Sequence, residues 1–256
     1  MSRKGWVPVI SVVIPTLDEE ASLPATIRSC REAGECEVIV ADGGSRDGTV
    51  EVARRLADRV VAAPGGRALQ MNAGASSARG DVLLFLHADT LLPPRGLEAV
   101  AAGLRDPRVA GGAFRVALRP SPGAGAYVRA MLALTGRMIN IRSALTGSRT
   151  GDQAIFLRSE TFRELGGYPG IPLMEDVELS RAMREAGRTV LLPHRVGTSG
   201  RRWEAWGPVR TILRMWRIRL GYRLGMTPER CAEIYRRAPF PVTLRSRRAP
   251  RSAGGG

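Results

Sequence analysis

Between Val9 and Leu86 the chain alternates short β-branched runs with helical stretches, and few folds tolerate that alternation. The runs are Val9–Pro15, Val38–Ala41, Val60–Ala63 and Val82–Leu86. Between them Ser22–Ala33, Thr49–Ala57 and Ala68–Ala78 carry apolar residues at helical spacing with little Gly or Pro inside. Apolar strands separated by helical crossovers build a parallel sheet covered by helices. The expected fold class is therefore α/β, Rossmann-like, with a mostly parallel central sheet flanked by helices. Ligands of such sheets bind beyond the carboxyl ends of the strands. Polar clusters fall at those ends: Thr16-Leu17-Asp18-Glu19, Asp42-Gly43-Gly44-Ser45 and His87-Ala88-Asp89.

Beyond Asp89 the pattern predicts a helix at Gly96–Leu104, a strand near Ala113–Leu118, a loop at Pro120–Gly125 and a basic amphipathic stretch at Tyr127–Ile141. Gly151-Asp152-Gln153 then leads into a strand at Ala154–Leu157. Glu175-Asp176 opens a helix ending near Gly187, and a short strand follows at Val190–Leu192. Residues 1–195 read as one catalytic domain, 196–237 as a C-terminal helical extension and 238–256 as a disordered basic tail.

Hydrophobic residues at 44% and charged residues at 25% fit a folded body. Cys30, Cys36 and Cys231 match neither zinc-site nor redox-pair spacing, so they read as idle thiols of a reducing compartment. The start of the chain lacks the apolar core of a signal peptide, and no window approaches the ~18 apolar residues of a membrane span. A cytoplasmic protein is expected. The formal charge of +15 is uneven, because fifteen arginines face only Glu204, Glu229 and Glu233 from residue 195 onward. Such a segment seeks a polyanionic surface, anionic membrane or nucleic acid. Few aromatics interleave with the arginines, which makes nucleic acid the less suited partner.

Within Pro208–Gly225 an apolar stripe of Val209, Ile212, Leu213, Trp216 and Leu220 is flanked by Arg210, Arg214 and Arg217 on one side and Arg219 and Arg223 on the other. That pattern describes a basic amphipathic helix lying on a membrane, which would station the protein peripherally on the inner face of the cell membrane. It equally describes a C-terminal helix packed on the domain.

Taken together, Ser11–Glu20, Val40–Thr49, the segment Phe85-Leu-His-Ala-Asp-Thr90 and Glu175-Asp176 resemble the family 2 glycosyltransferases of the GT-A fold, over about residues 9 to 195. The Leu-His-Ala-Asp-Thr form and the Gly-Asp-Gln element resemble a bacterial subgroup. The resemblance implies an inverting, metal-dependent transfer of a sugar from a nucleotide-diphosphate donor, a UDP-sugar foremost, to an acceptor that the residues do not identify and that a lipid-linked compound would suit.

It also implies residue roles. Asp42 contacts the nucleotide together with Pro15, Thr16, Glu19 and Gly43, although Asp, Gly and Ser equally make an ordinary turn. Asp18 stands where relatives more often carry Asn. Arg67 is either a nucleotide contact or a solvated arginine. His87, Ala88 and Asp89 occupy the Asp-X-Asp element, in which Asp89 keeps the last carboxylate for Mn²⁺ or Mg²⁺. His87 is then a donor contact or a buried, satisfied histidine. His194 is a further candidate metal ligand. Asp176 would act as base with Glu175 beside it, though acidic residues are common in any first helical turn. Asp152 and Gln153 would meet the acceptor or form a surface loop. Arg201-Arg202-Trp203 resembles the arginine-tryptophan element of processive relatives, with Arg202 near the diphosphate or simply beginning the basic segment. A nucleotidyltransferase is a weaker competitor, since its Gly-rich basic phosphate loop is absent after the first strand. A nucleic-acid-binding protein built on the basic C-terminus is the other.

Overall fold

The alternation between Val9 and Leu86 is realised as β1 (Ile10–Thr16), α1 (Leu23–Ala33), β2 (Glu37–Asp42), α2 (Thr49–Leu56), β3 (Arg59–Ala62), α3 (Arg67–Ser76) and β4 (Val82–Phe85). The structure is a computed structural model and describes residues 7–237. The tail expected at 238–256 lies outside the described residues. Strand β1 pairs parallel with both β2 and β4, and β2 pairs parallel with β3.

The chain continues through β5 (Thr90–Leu91), α4 (Gly96–Gly103), β6 (Val109–Arg119) and α5 (Ala126–Thr146), then a short 3-10 turn at Gly151–Gln153. There follow β7 (Phe156–Arg158), α6 (Ser159–Glu164), α7 (Glu175–Ala186), β8 (Arg188–Ser199), α8 (Arg201–Trp206), α9 (Pro208–Arg223) and α10 (Pro228–Arg236). The eight strands form one sheet in the order β3-β2-β1-β4-β7-β6-β8-β5. Strand β7 runs antiparallel to β4 and β6, and β5 runs antiparallel to β8, so the sheet is mixed but mostly parallel.

Both faces of the central strands are covered, which explains their uninterrupted apolar runs. Val12, Ile14, Val40 and Leu84 face Leu23 and Ile27 of α1 and Val52 of α2. On the other face Val13, Leu83 and Phe85 meet Met71 of α3, Phe162 of α6, and Leu179 and Met183 of α7.

Strand β8 is much longer than the Val190–Leu192 segment read from the sequence. It runs beside β6 along its whole length, with an irregularity where Phe114 pairs Leu192 and Arg115 pairs Arg195. Pro193 and His194 are the extra residues there. They and Arg195 are exposed, so the apolar run that marks a strand is broken.

Helix α9 has two unlike faces. Thr211 and Ile218 are buried, and Ile218 packs with Met215, Tyr222, Met174, Cys231 and Ile234 in a small core shared with α10. The other face points outward: Leu213 is 64% exposed, Trp216 61% and Leu220 60%. Leu134, Ile141 and Leu145 of α5, which contacts α9, are also exposed. Among the described residues no helix is long and apolar enough to cross a membrane.

Helix α3 reaches the sheet through Gly74, where a Cβ would strike the Cγ1 of the buried, β-branched Val13 and lie 3.5 Å from the Ala41 Cβ. Gly74→Ala gains up to ~1 kcal/mol of helix propensity, but overpacking against a stiff side chain costs ~1–3 kcal/mol. The substitution is therefore expected to lower the urea midpoint at unchanged m-value; an unchanged or raised midpoint would mean that α3 can lift from β1.

Candidate active site

The β1 and β2 loops are laced together before any ligand is considered. Asp42 is buried, and its carboxylate accepts from Thr16 Oγ1 at 3.1 Å, Ser45 Oγ at 2.5 Å, Gly44 N at 2.9 Å and Ser45 N at 3.0 Å. Burial raises its pKa, but the Ser45, Gly44 and Thr16 hydrogen bonds outweigh it and leave the carboxyl below its ordinary value. Asp18, at a left-handed φ of 54°, donates its N–H to Ser45 Oγ and accepts from Arg46 N. Glu19 N donates to Thr49 Oγ1 at 2.8 Å. Beneath them Gln70 Nε2 donates to the carbonyls of Thr16 and Ala41, and a Cβ on Gly43 would lie 2.7 Å from that amide nitrogen. Four hydrogen bonds use about all the acceptor capacity of a carboxylate, so Asp42 orders this cradle. Direct contact with a nucleotide requires the Ser45 hydroxyl to turn away.

The β4 loop brings carboxylates to the next part of the edge. Pairing of β5 with β8 sets Thr90 opposite Thr198, and Thr198 Oγ1 lies 3.5 Å from Asp89 Oδ1. One nitrogen of Arg201, Nη2, reaches Asp89 Oδ2 at 3.3 Å and Glu19 Oε2 at 3.1 Å. A single positive group thus bridges carboxylates from the β1 and β4 loops. Two carboxylates converging on one positive charge suit a hard divalent cation. Among the described residues no group of three His, Cys, Asp or Glu side chains is placed to hold a metal alone. Oxygens of a bound diphosphate would have to complete the coordination.

His87 turns from Asp89 toward the other half of the site. Its Nδ1 lies 3.1 Å from Asp152 Oδ1, and its ring packs so closely on Gly151 that a Cβ there would overlap it. The opposite ring nitrogen, Nε2, is buried without a partner among the described residues. Burial raises the Asp152 pKa, yet His87, Arg202 and Arg67 together hold the carboxyl well below the usual carboxylate range.

The N-terminus of α7 supplies the remaining carboxylates. Gly151 N donates to Asp176 Oδ2 at 2.9 Å, while Oδ1 accepts no hydrogen bond among the described residues. Ser180 Oγ both donates to Arg149 O and accepts from Arg149 N, each at 3.0 Å, which locks the Gly151 turn to α7. Glu175 is buried and meets Arg67 Nη1 at 3.4 Å. Burial, then the Asp176 charge, pushes the Glu175 carboxyl up against the opposing pull of Arg67. Three non-glycine residues with positive φ adjoin these segments: Asp18, Ala154 at 48° and Met174 at 74°. Such strain, about 1–3 kcal/mol each, concentrates where side chains must be aimed.

Most of the residues singled out in the sequence meet at this edge, several in other roles. Thr16 supports Asp42. Pro15 lies in β1, in register with Ala41. Ala88 is buried in the sheet core and its carbonyl accepts from Thr26 Oγ1, so its side chain is no ligand contact. Gln153 must also be reassigned: it is fully buried, its amide donating to Phe114 O and Ser143 Oγ and its oxygen accepting from Thr150, which leaves nothing for an acceptor. His194 does not follow the last strand but sits in the irregular stretch of β8, four residues before Thr198, the residue beside Asp89. Arg202 turns from Asp89: Nη1 bonds Tyr235 Oη and its guanidinium lies 5.2 Å from that ring centre. Its neighbour Arg201 holds the acidic pair instead. Gln70, Arg201 and Tyr235 were missed; only the Arg201-Arg202 pair carried a signal.

These findings converge with comparisons to known proteins. The profile described as Glycosyl transferase family 2 matches residues 11–159, more than half of the chain. An undecaprenyl-phosphate 4-deoxy-4-formamido-L-arabinose transferase of Pseudomonas paraeruginosa is 37% identical over 114 residues, covering 38% of this chain and 34% of that protein. The chain thus spans about a third of that curated relative. Among solved structures, the mannosyltransferase PcManGT of Pyrobaculum calidifontis, in complex with GDP-Man and Mn²⁺, superposes with a TM-score of 0.56 at 19% identity, over 92% of this chain and 70% of that one. Staphylococcus aureus TarS 1-349 in complex with UDP-GlcNAc gives 0.53 at 18% identity, over 75% and 58%. Those two likenesses give the GT-A fold, and the matched profile establishes that the chain belongs to the family 2 glycosyltransferases.

Proposed function

We propose that this chain is an inverting glycosyltransferase that moves a sugar from a nucleotide-diphosphate donor, a UDP-sugar foremost, to a hydroxyl of an acceptor presented at a membrane surface. The observation that carries the reading is the pairing of two carboxylates along one sheet edge: Asp89 under Arg201, and Asp176 aimed by the Gly151 N–H with one oxygen open. The solved relatives in complex with UDP-GlcNAc, and with GDP-Man and Mn²⁺, support a nucleotide-sugar donor and a divalent cation.

In this mechanism the donor nucleotide lies against the cradle of Asp42, Gly43 and Glu19. Asp89 would hold Mn²⁺ or Mg²⁺ together with diphosphate oxygens, and the ion would supply Lewis-acid neutralisation of the leaving group. Arg201 exchanges its carboxylate contacts for the phosphates and offsets their developing charge with fixed donors. The open Asp176 Oδ1 takes the acceptor proton as the hydroxyl oxygen bonds to the anomeric carbon. The carbon–phosphate oxygen bond breaks on the opposite face. Glu175, pushed up by burial and steadied by Arg67, orients the start of α7, and the Asp152–His87 pair walls the sugar pocket.

The outward stripe of α9, with exposed apolar residues of α5 beside it, supports contact with anionic membrane. The Pseudomonas relative, an undecaprenyl-phosphate transferase, supports a lipid-linked acceptor.

Asp89→Ala is expected to abolish the manganese dependence of UDP binding in calorimetry with the thermal transition unchanged; equal affinity in the variant would remove Asp89 from the donor site. Asp176→Asn should lower turnover by ~10²-fold or more with donor affinity little altered. A large loss of donor binding at normal turnover would make Asp176 a binding residue. Intact protein should co-sediment with anionic vesicles at low salt, and Trp216→Glu should release it. Failure of the intact protein to sediment, or retention on DNA in preference to lipid, would refute the membrane reading.

A further inference from the structure

Arg142 of α5 is half-buried, and two of its donors, Nε and Nη2, are shielded from solvent with no hydrogen-bond partner among the described residues. A guanidinium gives up its water without compensation only where another acceptor takes its place. Arg142 has no ion pair among the described residues, and neither do Arg219 and Arg223 of the adjoining α9. Instead the charges of Arg219 and Arg223 bear on Arg142 together. Burial, with the Arg219 charge next, draws the Arg142 pKa down to about 10. Burial likewise lowers Arg219, against the partial support of Asp176 and Asp152. Arg142 and Arg219 therefore lie within electrostatic reach of the proposed base, Asp176. Tyr222, one turn beyond Ile218 on α9, donates to Glu178 Oε1 at 2.8 Å and fixes that helix to α7. The cluster is distinct from Arg201, which serves the Asp89 side of the site.

We infer that Arg142, Arg219 and Arg223 form a subsite for a phosphate group carried by the acceptor, beside the hydroxyl that Asp176 deprotonates. The inference rests on the transferase reading above and names the class of acceptor. A phosphomonoester or phosphodiester offers the acceptor oxygens that the Arg142 fork lacks, and the positive groups offset its negative charge. The same chemistry can arrive on a lipid headgroup or on a soluble phosphorylated compound. Arg219 stands beside Leu220 and one turn from Trp216, whose side chains face outward, so a headgroup at Arg219 leaves an apolar tail along that stripe.

The test is calorimetry on the full chain with UDP and Mn²⁺ present in saturating amounts, using glycerol 3-phosphate and short-chain phosphatidic acid below its micellar concentration as probes. Both are expected to bind in addition to UDP. Arg142→Gln and Arg219→Gln should each weaken binding at least ~10-fold, and Arg142→Lys should recover only part of it because it restores charge without the fork. The exposed Arg223→Gln, which cannot disturb packing, should weaken it less. Tighter binding of phosphatidic acid assigns the phosphate to a lipid, and equal binding assigns it to a soluble acceptor. Probe binding that survives both glutamine variants, or that is lost in Arg201→Gln but not in them, overturns the subsite. Failure of UDP to bind refutes the donor reading instead, while phosphate binding sensitive to Arg142 would still stand.

Discussion

The sheet edge gathers Glu19, Asp42, Asp89, Asp152, Glu175 and Asp176, and the need to compensate each of these carboxylates is the constraint around which the site is arranged. No one counter-charge serves them all. Asp42 is answered by backbone N–H groups and hydroxyls, Asp89 and Glu19 by Arg201, Asp152 by His87, Glu175 by Arg67 and Asp176 by the Gly151 N–H. Different answers give different acidities. Asp42 and Asp152 are held down, whereas Glu175 is pushed up because burial and its acidic neighbour exceed what one guanidinium at 3.4 Å returns. A site with graded carboxylates can hold cation, sugar and proton in separate places, which one uniformly solvated cluster cannot.

Holding those groups apart requires elements that do not drift. The β1 and β2 loops are tied through Ser45 and Thr49, the Gly151 turn is tied to α7 through Ser180, and β5 is tied to β8 through Thr90 and Thr198. Each tie joins segments far apart in sequence. Gln153, a polar residue at a loop, is buried with its hydrogen bonds met: its amide spans Thr150, Ser143 and Phe114 and fixes the turn that carries Asp152.

The first half of the fold was legible because β1, β2 and β4 are covered on both faces and write their burial as apolar runs. Strand β8 was not, since Pro193, His194 and Arg195 face outward in mid-strand. The carboxylates at strand ends were legible as a set, because order along the chain maps onto order along the edge. Their individual duties were less so. Arg201 and Arg202 differ by one position at the start of α8, and consecutive helical residues point about 100° apart. Only the start of the helix decides which faces Asp89 and which meets Tyr235. Helix α10 carried no motif at all, yet its Tyr235 enters the charged cluster.

Helix α9 joins the two halves of the protein's chemistry through its two faces. Residues three and four apart share a face, so Thr211, Met215, Ile218 and Tyr222 turn inward while Leu213, Trp216 and Leu220 turn out. Inward packing and the Tyr222–Glu178 bond fix the helix against α7 irrespective of what covers the outward stripe. Burying that stripe removes large apolar side chains from water, each contributing roughly 1.5–3 kcal/mol when fully covered. Such a gain orients the whole body, because α9 cannot swing free of the helix that carries Asp176. A surface that captured the stripe would thereby set Asp176, the proposed base, at a fixed height above it.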